Sequence, residues 1–174
     1  MELNFKENIP ADFADDSRVW IYQSSRPFGS SEAGAMKEMF SAFVSGWNSH
    51  GDKVKGFAGL LFDRFIILMA DERATGVSGC STDSSVRLVK SIEEKFAVQL
   101  FNRQSLAFWL NDKIELIQLD QLDQAVENNV VNGDSLYFNN TVLTKKDMVE
   151  NWIIPVKKSW LAKRLAIPHP NPSP

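Results

Sequence analysis

The chain has 174 residues, 44% of them apolar, and its twelve Phe and five Trp supply a full hydrophobic core for one domain without a disulfide or metal staple. A formal charge of −3 argues against broad nucleic-acid binding, which rests on neutralising phosphates, and a single cysteine allows no internal disulfide and no C-x-x-C pair. The longest apolar run, Phe57 to Ala70, is broken by Gly59, Asp63 and Arg64 and falls short of the ~18 residues of a membrane span. Met1 to Asp16 shows no basic start followed by an apolar core, so the expectation is a cytoplasmic protein with no membrane contact.

Residues 1–17 read as an irregular lead-in around Pro10, residues 18–166 as a single domain, and residues 167–174, with alternating prolines, as a disordered tail. Arg18 to Gln23 is β-branched and aromatic, the composition of a strand. After a Pro/Gly loop, Ser30 or Ser31 is placed to cap a helix. Met36, Met39, Phe40, Phe43, Val44 and Trp47 recur at helical spacing as one apolar face of that helix, and Asn48 to Asp52 ends it. Lys55 to Phe62 and Arg64 to Ala70 predict two buried strands paired antiparallel through a reversal near Asp63-Arg64.

A second helix follows the glycine-rich stretch, with Leu88, Val89, Ile92 and Phe96 inward and Asp83 or Ser81 as its cap. Leu106 to Leu110 and Lys113 to Leu119 flank the turn pair Asn111-Asp112. The order strand, helix, strand, strand, helix, strand predicts an α+β fold. Its core is a ferredoxin-like βαββαβ sandwich, with an additional hairpin strand and C-terminal helices. Beyond it, Asp120 to Asn129 reads as a short helix and Leu136 to Phe138 as a short strand. Thr144 to Asp147 resembles a capping box opening a helix through Trp152. Pro155 then starts a last helix carrying Val156, Trp160 and Leu161, with Trp152 and Trp160 as core residues.

The site-like stretch is Gly76 to Ser85, with two glycines, five hydroxyl side chains, one carboxylate and Cys80 where a strand gives way to a helix. A P-loop would need Gly-Lys-Ser/Thr, which is absent, and a phosphatase loop would need arginine six positions after the cysteine, where Val86 stands. What remains is generic: free amides at a helix start hold an anion, with Gly79, Ser81, Asp83 and Ser84 as contacts. A thiol at Cys80 would there have a lowered pKa, and His50, the one histidine outside the tail, would be its general base. The plainer readings are a tight connection with a buried Cys80, and a His50 placed against the first helix's dipole. Arg26, before Pro27, and Arg73, beside Asp71-Glu72, are candidate anion contacts, with a solvated or salt-bridged role as the plainer reading of each. Two ligands at most are available to a metal, so no metal and no cofactor are expected. Lysines interleaved with Tyr137, Phe138, Trp152 and Trp160 suggest single-stranded nucleic acid, but the overall acidity weighs against it.

Four stretches together resemble a family of bacterial proteins of similar length. They are Trp47-Asn48-Ser49-His50-Gly51, the Ser-Gly-Cys-Ser-x-Asp-Ser-Ser loop at Ser78 to Ser85, Asn151 to Pro155, and Ser159 to Ala162. The resemblance covers most of the chain except the tail and implies no activity. Such sequences often carry the label of a transporter ATPase, which finds no Walker motif here. The leading expectation is a protein that binds a small anionic molecule at residues 76–85. The alternatives are a thiol-dependent hydrolase or transferase using Cys80 and His50, and an interaction protein forming a homodimer through a sheet face or edge.

Overall fold

The computed structural model describes residues 3–73 and 79–165, with the side chains of residues 79–81 outside that description. The chain divides into two compact units, one of residues 2–102 with 140–151 and the other of residues 103–139 with 152–174. The predicted tail, residues 167–174, lies outside the described residues.

The first unit runs β1 (Arg18–Gln23), α1 (Ser30–Gly46), β2 (Asn48–Ser49), β3 (Asp52–Lys53), β4 (Lys55–Leu61), β5 (Phe65–Asp71) and α2 (Gly79–Phe96). Its main sheet has the order β1-β5-β4, antiparallel throughout. β5 is central, and all seven of its residues are buried. Strand alternation explains why. Ile66 and Leu68 point into one core with Met36 and Phe40 of α1 and Leu88, Val89 and Ile92 of α2. Phe65, Ile67 and Met69 point to the other side and are equally buried. β4 turns into β5 at Phe62 and Asp63, both left-handed (φ 53° and 51°), one residue earlier than the sequence predicts.

Several predicted boundaries shift for identifiable reasons. α1 is capped by Gly29, with Ser30 and Ser31 inside its first turn, because the Glu32 carboxylate reaches back to accept from the Gly29 N–H at 2.8 Å. Trp47 leaves the helix as its C-terminal cap residue. Its ring packs on Phe43 and Trp20 at centroid distances of 4.7 and 6.1 Å and closes over the bare Cα of Gly56. α2 starts at Gly79, so Asp83 stands within the helix and is not its cap.

The predicted fourth strand is not in this sheet. Leu106 to Leu110 lies within a strand of the second unit, Ser105–Leu110, and the edge of β1 meets a short segment instead. Val19 N–H donates to the Leu143 carbonyl at 2.9 Å, and Arg18 bridges Thr144 antiparallel. Asn140 donates to the Gln23 side chain at 2.9 Å, so residues 140–144 run beside β1.

The lead-in is irregular apart from a 3-10 turn at Lys6–Asn8, yet it is held firmly. Phe5, Ile9 and Phe13 are buried. The Lys145 ammonium, itself buried, donates to the carbonyls of Ala11 at 3.0 Å and Phe13 at 2.7 Å. Lys55 donates to the Asp12 carbonyl at 3.0 Å and sits 4.7 Å from the Phe13 ring. A backbone with few hydrogen bonds of its own is thus satisfied by cations from distant parts of the chain.

The second unit contains β6 (Ser105–Leu110), β7 (Lys113–Gln118), α3 (Leu122–Glu127), β8 (Leu136–Phe138) and β9 (Ile153–Pro155), with α4 (Lys145–Asn151) belonging to the first unit. Its sheet order is β7-β6-β8-β9, antiparallel. Asn111 and Asp112 close the β6–β7 hairpin with φ of 49° and 60°, as their side chains predict. Asn132 accepts from the N–H groups of Asp134 and Ser135 at 2.9 and 3.2 Å and makes the predicted turn before β8. After Pro155 come two short 3-10 turns, Val156–Lys158 and Trp160–Lys163, in place of the predicted α-helix. Trp152 is fully buried, but Trp160 is 44% exposed and packs edge-on against Tyr137, not into the core.

Two consequences follow for stability. A Cβ on Gly56 would overlap Cε3 of Trp47 and stand 2.9 Å from Cζ3, whereas a Cβ on Gly34 of α1 meets nothing within 4 Å. Gly56→Ala is expected to destabilise by about 1–3 kcal/mol, and Gly34→Ala to stabilise by about 0.5–1 kcal/mol, both read by urea unfolding. Equal effects of the two would contradict the packing. The second consequence concerns Asp71, whose carboxylate is 2% exposed and paired with Arg73 and Lys55. Those cations hold its carboxyl well below the ordinary 3.8, the Arg73 guanidinium foremost. The stability it contributes is therefore present above its unfolded value and lost as pH falls below it. Asp71→Asn is expected to cost about 1–3 kcal/mol near neutral pH, with the deficit shrinking below about pH 4. A deficit independent of pH would contradict that assignment.

Candidate functional site

Among the described residues, the end of the first sheet at which β5 finishes holds the His50 hairpin and Arg73, with Arg26 at the other end. β5 ends at Asp71 opposite Lys55, the first residue of β4, so the chain leaves toward α2 where it also enters from the β2–β3 hairpin. α2 runs close beside β2. His50 and Gly51 form the tip of that hairpin, with φ of 51° and 90°. His50 is exposed and lies four residues past the end of α1. Gly-type conformations at both turn positions are what a two-residue hairpin loop needs.

Within α2, Gly79, Cys80 and Ser81 occupy the first turn, and no acidic residue stands there. Gly76, Val77 and Ser78 lie outside the described residues, as do the side chains of Cys80 and Ser81. Asp83 is exposed one turn further on. Ser84 accepts from the Arg87 guanidinium at 2.9 Å, and Ser85 donates to the Thr82 carbonyl at 2.6 Å. Ser84 and Arg87 thus meet on the outer face of the helix, one turn apart.

The two arginines differ in place and are both engaged. Arg73 stands at the same end as α2's start and is ion-paired with Asp71, donating also to the Asp12 carbonyl at 3.1 Å. Lys55 completes the cluster, 2.9 Å from the Asp12 carboxylate and 3.4 Å from Asp71. Asp71 additionally accepts from the Ala14 N–H at 3.4 Å. Arg73 therefore fastens the lead-in to the sheet end and is not a free anion contact.

Arg26 is at the opposite end. It follows Gln23, which pairs with Phe65 at the start of β5, roughly 20 Å along the strands from Asp71 at 3.3 Å per residue. There it forks onto both Glu32 oxygens at 2.8 Å and donates to the carbonyl of Phe96, the last residue of α2, at 2.6 Å. The guanidinium and the Gly29 N–H hold the Glu32 carboxyl down to about 2. Arg26 thus ties the start of α1 to the end of α2 and does not join residues 76–85.

A second concave feature was not foreseen from the sequence. A groove of about 640 Å³ lies between α1 and the outer edge of β4, lined by residues 56–61 and by Ala33, Lys37, Ser41 and Val44. Its one signal in the sequence is the pair of glycines inside a strand, Gly56 and Gly59, a composition that marks close approach. Among the described residues no group of three His, Cys, Asp or Glu side chains is placed to hold a metal ion, and no helix is long and apolar enough to cross a membrane. Compared with family models, with characterised proteins and with solved structures, the chain matches none of them.

Proposed function

We propose that this chain is a binding protein that takes a small anionic molecule at the sheet end where α2 begins. One observation supports this reading: the start of an eighteen-residue helix, free of acidic residues in its first turn, stands at the same end as the His50 hairpin. The aligned peptide dipoles and unpaired N–H groups of such a helix start favour an anion, and Gly79 and Ser81 keep side chains there small. Arg26 takes no part, and Arg73 contributes its charge only as half of a pair with Asp71. The same reading places the first unit with ferredoxin-like folds in which residues 143–144 stand in for the last strand, and places the protein in a bacterial cytoplasm.

A second reading, thiol-dependent hydrolysis or transfer, draws on α2 running beside β2, next to His50. His50 would accept the Cys80 thiol proton as Sγ attacks a substrate acyl carbon. The leaving group would depart with that proton as its bond to the carbon breaks, and water or an acceptor hydroxyl would then displace Sγ from the thioester.

The binding reading is tested by titrating inorganic phosphate and phenyl phosphate into ¹⁵N-labelled protein. Saturable shifts confined to the amides of residues 79–83 and 48–51 are expected. Ser81→Asp, which places a carboxylate where a helix start favours one, should weaken binding about two- to fivefold without loss of folding. Shifts scattered over lysine-bearing surfaces, or none, would overturn the reading. For the thiol reading, iodoacetamide should alkylate folded protein with a pH midpoint below the ~8.5 of a free thiol, and His50→Ala should raise that midpoint. Alkylation only after unfolding would exclude it.

A further inference from the structure

The outer edge of β4 lacks the usual defences of a strand edge. Among the described residues β4 pairs with β5 alone in its sheet. Lys55–Leu61 holds no proline, and past Lys55 itself no charge. Sheet edges are ordinarily blunted by proline, bulges or inward charges. Here the strand instead lines the 640 Å³ groove with residues 56–61, α1 supplies one wall with Ala33, Lys37, Ser41 and Val44 on one helix face, and Asn8 of the lead-in stands at its border. Lys37 and Asp63 border the groove, both are exposed, and neither has an ion-pair partner among the described residues.

We propose that this groove receives an extended segment of a partner protein, about five or six residues long, which adds to β4 as a further strand and sets an acidic side chain against Lys37. Main-chain hydrogen bonds to the strand edge supply the affinity, and the α1 flank reads the side chains on one face. Charge sets the register of the guest: past Lys55 the strand is uncharged, so an acidic side chain fits beside the Lys37 ammonium and away from the Asp63 carboxylate at the β4–β5 turn.

A second copy of this chain fits the groove less well. α1 lies along β4. Joining β4 to β4 about a two-fold axis normal to the sheet would set those strands ~4.8 Å apart. The two α1 helices, each lying against its own β4, would then face one another across the seam and fill the groove between them. A guest strand without its own helix on that face avoids this.

The probe is a terminally blocked hexapeptide of alternating valine and threonine with one central glutamate, together with a twin carrying lysine in its place. Added to the ¹⁵N-labelled full chain, the glutamate peptide should shift amides of residues 55–61 and 33–44 and leave residues 79–83 untouched. Lys37→Glu, an exposed and structurally neutral change, should weaken the glutamate peptide about two- to fivefold and strengthen the lysine twin. Before peptide is added, alternate amides of β4 should exchange with deuterium far faster than those of β5. Shifts located elsewhere, or identical responses of both peptides to the variant, would overturn the proposal. A doubled mass in light scattering with all β4 amides protected would assign the edge to a second copy and overturn it equally.

Discussion

The Asp71 carboxylate is the point to which the first unit is fastened. It is buried at the end of the central strand, where desolvation alone would push it toward the neutral form. Arg73 and Lys55 reverse that balance, and in doing so each also reaches the lead-in, Arg73 at the Asp12 carbonyl and Lys55 at the Asp12 carbonyl and carboxylate. One buried charge therefore fixes three things: the end of β5, the start of β4, and the path of a segment with almost no secondary structure. Its surroundings set where the chain departs for α2.

The opposite end of the sheet is built on a matching device with different parts. Arg26 and Glu32 form a forked pair on the surface, where an ion pair by itself contributes little. Its value is positional, since the guanidinium also meets the terminal carbonyl of α2 while the carboxylate caps α1. The two helices over the sheet are thus registered at one end by a charge pair, while at the other end Trp47 seats the end of α1 on the sheet, spanning from Trp20 to Gly56. The end that carries residues 79–83 and His50 is held by apolar packing around Trp47 and by the buried Asp71 cluster.

Much of this was legible in the sequence because it is local. The spacing of Met36, Phe40 and Phe43 gives α1, the side chains of Asn111-Asp112 give a hairpin, and the run through Ile66 to Ala70 gives a strand buried on both faces. What was not legible depends on partners far along the chain. Nothing local to Leu106–Leu110 says that it pairs with β8 and not with β1, or that two backbone contacts from Leu143 and Thr144 occupy the edge of β1. The firm hold on the lead-in comes from Lys145, more than a hundred residues away. The α-helix predicted after Pro155 gives way to 3-10 turns, in which Ser159 accepts from the Leu161 N–H and closes the second turn on itself.

The candidate site divides along the same line. That a helix follows the small residues around Cys80 was readable, but not where it starts: Asp83 or Ser81 reads as the cap, whereas Cys80 already stands in the first turn. The engagement of Arg73 was half readable, since its partner is two residues away, and that of Arg26 was readable only from Glu32, a capping carboxylate six residues on. The His50 hairpin and the first turns of α2 share one end of the sheet, away from Arg26. Nuclear Overhauser contacts recorded on the labelled protein test this most directly. The expected result is contacts between residues 48–51 and residues 79–84, and none between residues 79–84 and residues 26–28. Contacts to residues 26–28 in place of the hairpin would contradict it.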